Sequence, residues 1–153
     1  STVETPPTPE DGIEFDKYLA EQGKKVAVYV ANQAIQKHMA DLRDQQEILM
    51  ALADLMIHAF VMDSTVSRTI QVMEIKGESG AEVHQAASRL AVAESYAAIR
   101  GIAEELLSHL SNGDRLSKHF ENFDKLAPRA RVDLVALRRI VADAVVEREK
   151  YPF

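Results

Sequence analysis

Apolar residues recur along most of this chain at alternating steps of three and four, the spacing that lines one face of an α-helix. The longest such stripe passes through Ile48, Leu52, Leu55, Ala59, Met62, Val66, Ile70 and Met73. Strict apolar–polar alternation, which would indicate a strand, never continues for more than a few positions. The pattern predicts an all-α protein.

Glycine and capping residues divide the first half of this pattern into two helices. A helix is expected over Lys24–Leu42, directly after Gly23, because glycine is unfavourable inside a helix. Asp44–Glu47 has the form of a capping box, in which the two acidic side chains accept backbone N–H groups of the first turn. This box begins a second helix, which we expect to end at Gly77.

The second half contains one long helix and two short ones. A capping box at Ser79–Glu82 begins the long helix, which stops at Asn112–Gly113. Two long helices joined by so short a connection form an antiparallel hairpin. Two shorter helices follow on either side of Pro128, and Asp114 can cap the first of them. The predicted fold is an all-α, antiparallel up-and-down bundle of the four-helix type, with about five helices and its fourth position broken at Pro128.

Composition and charge argue against several classes of function. The 153 residues include no cysteine, which excludes disulfides, zinc–thiolate sites, iron–sulfur clusters and a thiol nucleophile. The net charge is −6, which argues against nucleic-acid binding, and residues 1–23 carry −5 of it. We interpret residues 1–23 as an acidic, proline-containing lead and residues 24–153 as the helical bundle. Because the sequence starts with Ser1, we expect a processed chain or a piece of a longer one.

Two segments raise the question of membrane contact. The longest apolar stretch, Ile48–Met62, has fifteen residues and includes Asp54 and His58. A membrane span needs about 20, so we expect a buried bundle helix here, with its methionines in the core. The end of the chain is mildly basic, with nine bases and seven acids in residues 114–150. That bias is typical of a solvated face and leaves peripheral membrane contact as an alternative.

Motifs for catalysis and metal binding are missing from the sequence. It has no Glu-x-x-His pair of the di-iron bundles, no Gly-x-Ser-x-Gly turn and no glycine-rich phosphate loop. The pairs Asp54–His58 and Glu105–His109 are spaced to share a helix face, either as surface metal ligands or, more commonly, as local ion pairs. The sequence therefore predicts no catalytic, cofactor-binding or metal-binding residue.

Two arginines lie near the apolar stripes of the predicted hairpin. Arg68 and Arg100 are either charges that organise an interface or structural partners of acids such as Asp63 and Glu94. An arginine-lined enzyme pocket for an anionic substrate is a weaker alternative, since no spacing singles these arginines out. The candidate structural or interface residues are Asp54, His58, Arg68 and Arg100.

The second predicted helix resembles a known family. Leu52–His58, followed by Met62 and Ser67–Arg68, is similar to the second long helix of the extra C-terminal helical domain of very-long-chain-type acyl-CoA dehydrogenases. The similarity is carried by Leu52, Ala53, Asp54, Ile57, Met62, Ser67 and Arg68. His58 and Phe60 stand where the family usually has Asp and Tyr, so the sequence departs from the family pattern at that polar pair.

Later segments extend the resemblance over about residues 24–153. Glu94 and Ala98–Arg100 resemble the family's next helix. Asn122 and Phe123 match its Tyr-x-Asn-Phe segment, and the ending Tyr151–Phe153 is similar to its terminal Pro and Phe. The motifs occur in the family's order and spacing.

This resemblance implies a non-catalytic C-terminal helical domain of an FAD-dependent enzyme that oxidises fatty acyl-CoA. It implies FAD in the parent enzyme but none in this segment, because the family's catalytic Glu and flavin contacts lie in the preceding core. The implied partners are the dehydrogenase core of its own chain and a second subunit of a dimer. The expected location is the bacterial cytoplasm, or the matrix side of a mitochondrion in a eukaryote. A free-standing helical-bundle interaction module remains the alternative.

Overall fold

The computed structural model describes residues 4–148, and within that range every regular element is a helix. Five α-helices follow one another: α1 (Ile13–His38), α2 (Gln46–Gly80), α3 (Glu82–Leu110), α4 (Gly113–Leu126) and α5 (Leu134–Arg148). There are also two short 3₁₀ segments: Pro9–Asp11 precedes α1, and Met39–Asp44 joins α1 to α2. The predicted all-α fold is confirmed.

Helices α1, α2 and α3 pack against one another and enclose the core. The core consists of the inward-facing apolar residues of these helices, such as Leu19, Val30, Leu55, Met62, Tyr96 and Ile99, with Phe123 added by α4. Helices α4 and α5 lie one after the other along α3: Asp124 of α4 approaches Arg100, and Arg138 of α5 approaches Glu94. The fourth position of the bundle is therefore broken between α4 and α5, as predicted from Pro128.

The start of the first helix differs from the prediction. Helix α1 begins at Ile13 rather than at Lys24, and Gly23 lies buried inside it. The predicted boundary between lead and bundle, after residue 23, thus falls in the middle of α1. Glycine is tolerated there because Met62 and Ile99 occupy the space that a side chain would need. Tertiary packing overrides the low helix propensity of this glycine.

The helix ends follow the glycines better than the predicted capping boxes. The N-caps of α2 and α3 are Gln45 and Ala81, and neither side chain caps its helix, so both predicted boxes are wrong. Asp44 instead closes the second 3₁₀ segment. Gly77 interrupts the helix as predicted, since its φ of 75° lies in the left-handed region that glycine adopts without strain.

Helix α2 is apolar on two faces, only one of which is buried. Leu55 and Met62 point into the core, whereas Met50 is 67% exposed and Met56 also faces outward. The expectation that the methionines lie in the core is therefore wrong for these two. An 18-residue window of α2 has a mean hydropathy of 1.5, and 22% of that window is buried. By length and composition alone α2 is apolar enough to cross a membrane, a property that core helices of soluble proteins share.

Candidate functional site

The most buried cation among the described residues is Arg100, on α3. Its side chain is nearly fully buried, with 7% of the residue exposed. One guanidinium nitrogen donates to the carbonyl oxygen of Ala127, and the other lies 3.4 Å from both Glu104 Oε1 and Asp124 Oδ1. The guanidinium also lies 4.6 Å from the centre of the Phe123 ring, within the range of a cation–π interaction. Arg100 thus ties the end of α4 to α3.

Tyr96 reinforces this junction one helical turn earlier. Its hydroxyl donates to the carbonyl oxygen of Pro128 at 2.6 Å, and burial raises the pKa of the phenol far above its ordinary value of 10.0. Beside these two side chains is an open cavity of about 330 Å³, whose wall includes Gly101 and Arg129. The polar atoms of Tyr96 and Arg100 are bound to backbone carbonyls and to acidic side chains, so this cluster joins α3 to α4 and to the segment after it.

A second buried ion pair joins α1 to α3. Arg89 Nε donates to Asp16 Oδ1 at 2.6 Å, and the Ser88 hydroxyl donates to Oδ2 of the same carboxylate at 3.1 Å. Arg89 Nη2 also donates to the carbonyl oxygens of Pro9 and Gly12, both at 3.0 Å. One guanidinium therefore fixes the segment that leads into α1.

The carboxyl group of Asp16 lies in an unusual electrostatic environment, because it is buried. Only 2% of the residue is exposed, and burial raises the pKa of its carboxyl, while the hydrogen bonds from Arg89 and Ser88 oppose that rise. The sequence pattern did not reveal this pair, because its partners are 73 positions apart. The one available signal was an acid, Asp16, flanked by the apolar residues that form the buried face of α1.

A third polar contact joins α1 to α4. The Tyr29 hydroxyl lies 2.5 Å from Nδ1 of His119, and the two rings meet edge to face. Partial burial lowers the pKa of the His119 imidazole below its ordinary value, and nearby Arg115 lowers it further. The neutral imidazole is therefore the form that this contact favours.

The four candidate residues that were chosen from the sequence lie in different parts of the structure. His58 Nδ1 lies 3.3 Å from the Ser95 hydroxyl of α3, whereas Asp54 is exposed on α2. Arg68 is exposed and lines a different cavity, of about 230 Å³, together with His84. Of the four, Arg100 alone is buried in a polar cluster.

The acids suggested as arginine partners have other partners instead. Asp63 pairs with Lys24 at 3.1 Å, and Glu94 pairs with Arg138 at 3.0 Å. Arg100 pairs with Glu104 and Asp124 and not with Asp63 or Glu94. Over residues 4–148 no group of three or more metal-ligating side chains comes together.

Comparisons with known proteins agree with one another. The model of the acyl-CoA dehydrogenase C-terminal domain matches residues 22–125, more than half of the chain. A probable acyl-CoA dehydrogenase of Bacillus subtilis (strain 168) is 30% identical over 147 residues, which are 95% of this chain and 25% of that protein. The crystal structure of an acyl-CoA dehydrogenase from Bacillus anthracis complexed with FAD superposes with a TM-score of 0.90 at 28% identity, over 96% of this chain and 26% of that one.

The chain thus spans about a quarter of the length of the relatives that it matches. Those relatives contain this bundle as one part of a much larger protein. The matched range includes α2, α3 and Arg100, whereas the acceptor of Arg100, Ala127, lies two residues beyond its end. The chain belongs to the acyl-CoA dehydrogenase C-terminal domain family.

Proposed function

We propose that this chain is the non-catalytic C-terminal helical domain of an FAD-dependent acyl-CoA dehydrogenase and that it serves the assembly of that enzyme. The single observation that carries the proposal is the superposition of 96% of the chain on 26% of an FAD-complexed acyl-CoA dehydrogenase at a TM-score of 0.90. A role in assembly fits the described residues, because their buried polar groups bind one another instead of converging on a cavity.

The described residues do not fit a flavin site. The cavity beside Arg100 is small, and its arginine already binds Ala127, Glu104 and Asp124. A wider cavity, of about 520 Å³, is a shallow groove on α1 bordered by charged lysines and Tyr29. Ligand sites enclose most of their ligand within convergent polar groups, which neither cavity provides. We therefore assign FAD to another part of the parent enzyme.

The test is to isolate the protein from its native source and measure its mass and flavin content. We expect a polypeptide about four times as long as these 153 residues, in line with the shares of 25% and 26% in its relatives, with bound FAD and acyl-CoA oxidation activity. The 153-residue chain alone should show no flavin absorbance. A native polypeptide of 17.0 kDa, or stoichiometric FAD binding by the 153-residue chain, would overturn the proposal.

Two finer assignments belong to the same proposal. The resemblance at Leu52–Arg68 supports the very-long-chain type, with fatty acyl-CoA as the substrate of the whole enzyme. The location that follows is the bacterial cytoplasm, or the mitochondrial matrix in a eukaryote. Measuring activity of the native protein against acyl-CoA of increasing chain length tests the type: a maximum at short chains would contradict it.

A free-standing interaction module is the second candidate, favoured by the exposed apolar face of α2. The same mass measurement separates the two candidates. A 17.0 kDa native polypeptide that binds a protein partner through α2 would favour the module.

A further inference from the structure

A small cavity lies between α2 and α3, near the turn that joins them. One of its lining residues, His84, is 16 residues before Arg100, about 24 Å along α3. The volume of the cavity is about 230 Å³, below the range of about 300–1,000 Å³ that is usual for pockets of drug-sized ligands. The cavity therefore has room for one small group and not for a whole cofactor.

This cavity has a basic lining, unlike the two cavities considered for FAD. Arg68 and His84 are in its wall, and the other lining residues in the part of the chain that the structure describes are alanine, serine and threonine. The lining of the cavity beside Arg100 includes Glu104, and the groove on α1 includes Glu21. The cavity between α2 and α3 is thus better suited to a negatively charged group than either of the others.

The antiparallel register of α2 and α3 sets Arg68 opposite His84. The contact between His58 Nδ1 and the Ser95 hydroxyl, at 3.3 Å, fixes the level at which the two helices meet. Arg68 lies ten residues after His58 on α2. His84 lies eleven residues before Ser95 on α3, so the two basic residues lie at nearly the same level of the hairpin. Each helix therefore contributes one basic side chain to the same space.

Helix α5 brings a third basic residue to this level. The ion pair of Arg138 with Glu94, at 3.0 Å, fixes the level at which α5 meets α3. Arg148 lies ten residues after Arg138 on α5, and His84 lies ten residues before Glu94 on α3. Since the charge of Arg148 also acts on His84, α5 runs antiparallel to α3 and its last residue lies near that imidazole. Three helices thus contribute one basic side chain each.

The charges around His84 have one sign. Burial lowers the pKa of its imidazole, and the positive charges of Lys76, Arg68 and Arg148 lower this pKa further. Within residues 4–148, every charge that shifts this pKa is positive. Like charges repel one another at close range, and a negative group among them removes that repulsion.

We propose that the cavity between α2 and α3 is a binding site for an oxyanion, a carboxylate or a phosphate group, held by Arg68, His84 and Arg148. Arginine suits this role because its planar guanidinium donates two parallel hydrogen bonds to a carboxylate or a phosphate. All three residues also have other polar or electrostatic contacts. A guanidinium carries five N–H donors, so it binds an oxyanion while keeping another partner. The site is independent of the proposed function, because it requires neither FAD nor a dehydrogenase core.

The experiment is an NMR titration of the 153-residue chain with inorganic phosphate and, separately, with acetate, at constant ionic strength. We expect a saturable shift of the His84 imidazole resonances, which are assigned by their absence from His84→Gln. Arg68→Gln should weaken the binding by about tenfold or more, because it removes a charged donor of two hydrogen bonds. The matched control is Arg43→Gln, an exposed position before the other end of α2, which should bind like the parent chain.

A second chain identifies the source of the oxyanion. Residues 149–153 include one carboxylate side chain, that of Glu149, and this variant replaces all five residues with glycine and serine. If the anions bind only to the variant, residues 149–153 supply the group that the site holds. If they bind to both chains, the group comes from another molecule, and a response to phosphate alone identifies it as a phosphate. Each of these results supports the site.

Two results overturn the proposal. One is the absence of any His84 shift with both anions in both chains. The other is undiminished binding by Arg68→Gln, which would mean that the anions act on the chain without using this cavity. Helical circular dichroism shows whether each variant is folded. If the variant with residues 149–153 replaced is unfolded, the comparison of the parent chain with Arg68→Gln and Arg43→Gln still decides: a shift with the expected ranking supports the site, and no shift overturns it.

Discussion

The terminal methyl of Met62 packs directly against the backbone of Gly23, in the space where a Cβ on residue 23 would lie. Ile99 closes the same space from α3, with its Cδ1 3.3 Å from that Cβ position. Three helices therefore meet at one glycine, and α1 approaches α2 and α3 more closely here than any other residue would allow. This contact sets the spacing of the three-helix core.

We expect Gly23→Ala to lower the free energy of unfolding by about 1 kcal/mol. Overpacking destabilises a fold by about 1–3 kcal/mol, and the higher helix propensity of alanine offsets roughly 1 kcal/mol of that loss. Urea denaturation measures the change. Gly101→Ala is the matched control, because nothing lies within 4 Å of a Cβ there, and it should stabilise the fold by about 0.5–1 kcal/mol. Equal stabilisation by both changes would show that Met62 moves aside without cost.

We expect Arg100→Met to lower the free energy of unfolding by about 2–4 kcal/mol, because it leaves the buried carbonyl of Ala127 without a donor. Amide exchange should quicken at the end of α4. Glu104→Gln and Asp124→Asn serve as controls and should each cost less than about 1 kcal/mol, since Asp124 is largely exposed and Glu104 is partly exposed. A loss from Arg100→Met no larger than from these controls would contradict the role assigned to the arginine.

We expect Arg89→Lys to loosen the segment before α1 more than it destabilises the bundle. Lysine keeps the charge beside Asp16 but lacks the planar fork that reaches the carbonyls of Pro9 and Gly12. The amide of Asp11, which donates to Thr8 at 2.9 Å, is the reporter, and its hydrogen exchange should quicken. Lys24→Gln removes an exposed ion pair elsewhere and should leave Asp11 unchanged; equal effects of the two changes would disprove the prediction.

We expect the protein to lose stability as the pH falls through the range where His119 titrates. The pKa of this imidazole is lowered in the fold, so the unfolded chain binds the proton more readily. The stability that the neutral ring contributes is present above its ordinary pKa of about 6.5 and is lost at lower pH. Melting temperatures between pH 5 and 8 measure this.

One substitution tests the role of this histidine. His119→Gln keeps an acceptor for Tyr29 and should reduce the pH dependence of the melting temperature. A slope that is the same in the parent chain and in this variant would mean that His119 does not contribute.

The local pattern of apolar residues, glycines and prolines was sufficient to predict the fold class. It was not sufficient to predict the polar contacts. Spacing of three and four predicted the helices, and Gly77 and Pro128 marked the breaks correctly, because backbone restrictions of glycine and proline act within a few residues. Gly23 was misread as a helix start, since the reason for a glycine there is Met62, in another helix.

The candidate sites could not be predicted in full either, because the partners of their side chains are distant in the sequence. Arg100 was singled out for its place near an apolar stripe, but its backbone partner, Ala127, is 27 positions away on the segment after α4. The Asp16–Arg89 pair joins residues 73 positions apart and follows no periodic pattern. The exposed apolar face of α2 was visible in the spacing of Met50, Ala53, Ile57 and Phe60, yet the buried face of the same helix had already explained the apolar character of that segment.

Arg89 belongs to α3, but the structure that it controls precedes α1. By holding the carbonyls of Pro9 and Gly12, it sets the direction in which the polypeptide before residue 9 leaves the bundle. A substitution of Arg89, in the middle of the sequence, would therefore change the path of the polypeptide 80 positions earlier.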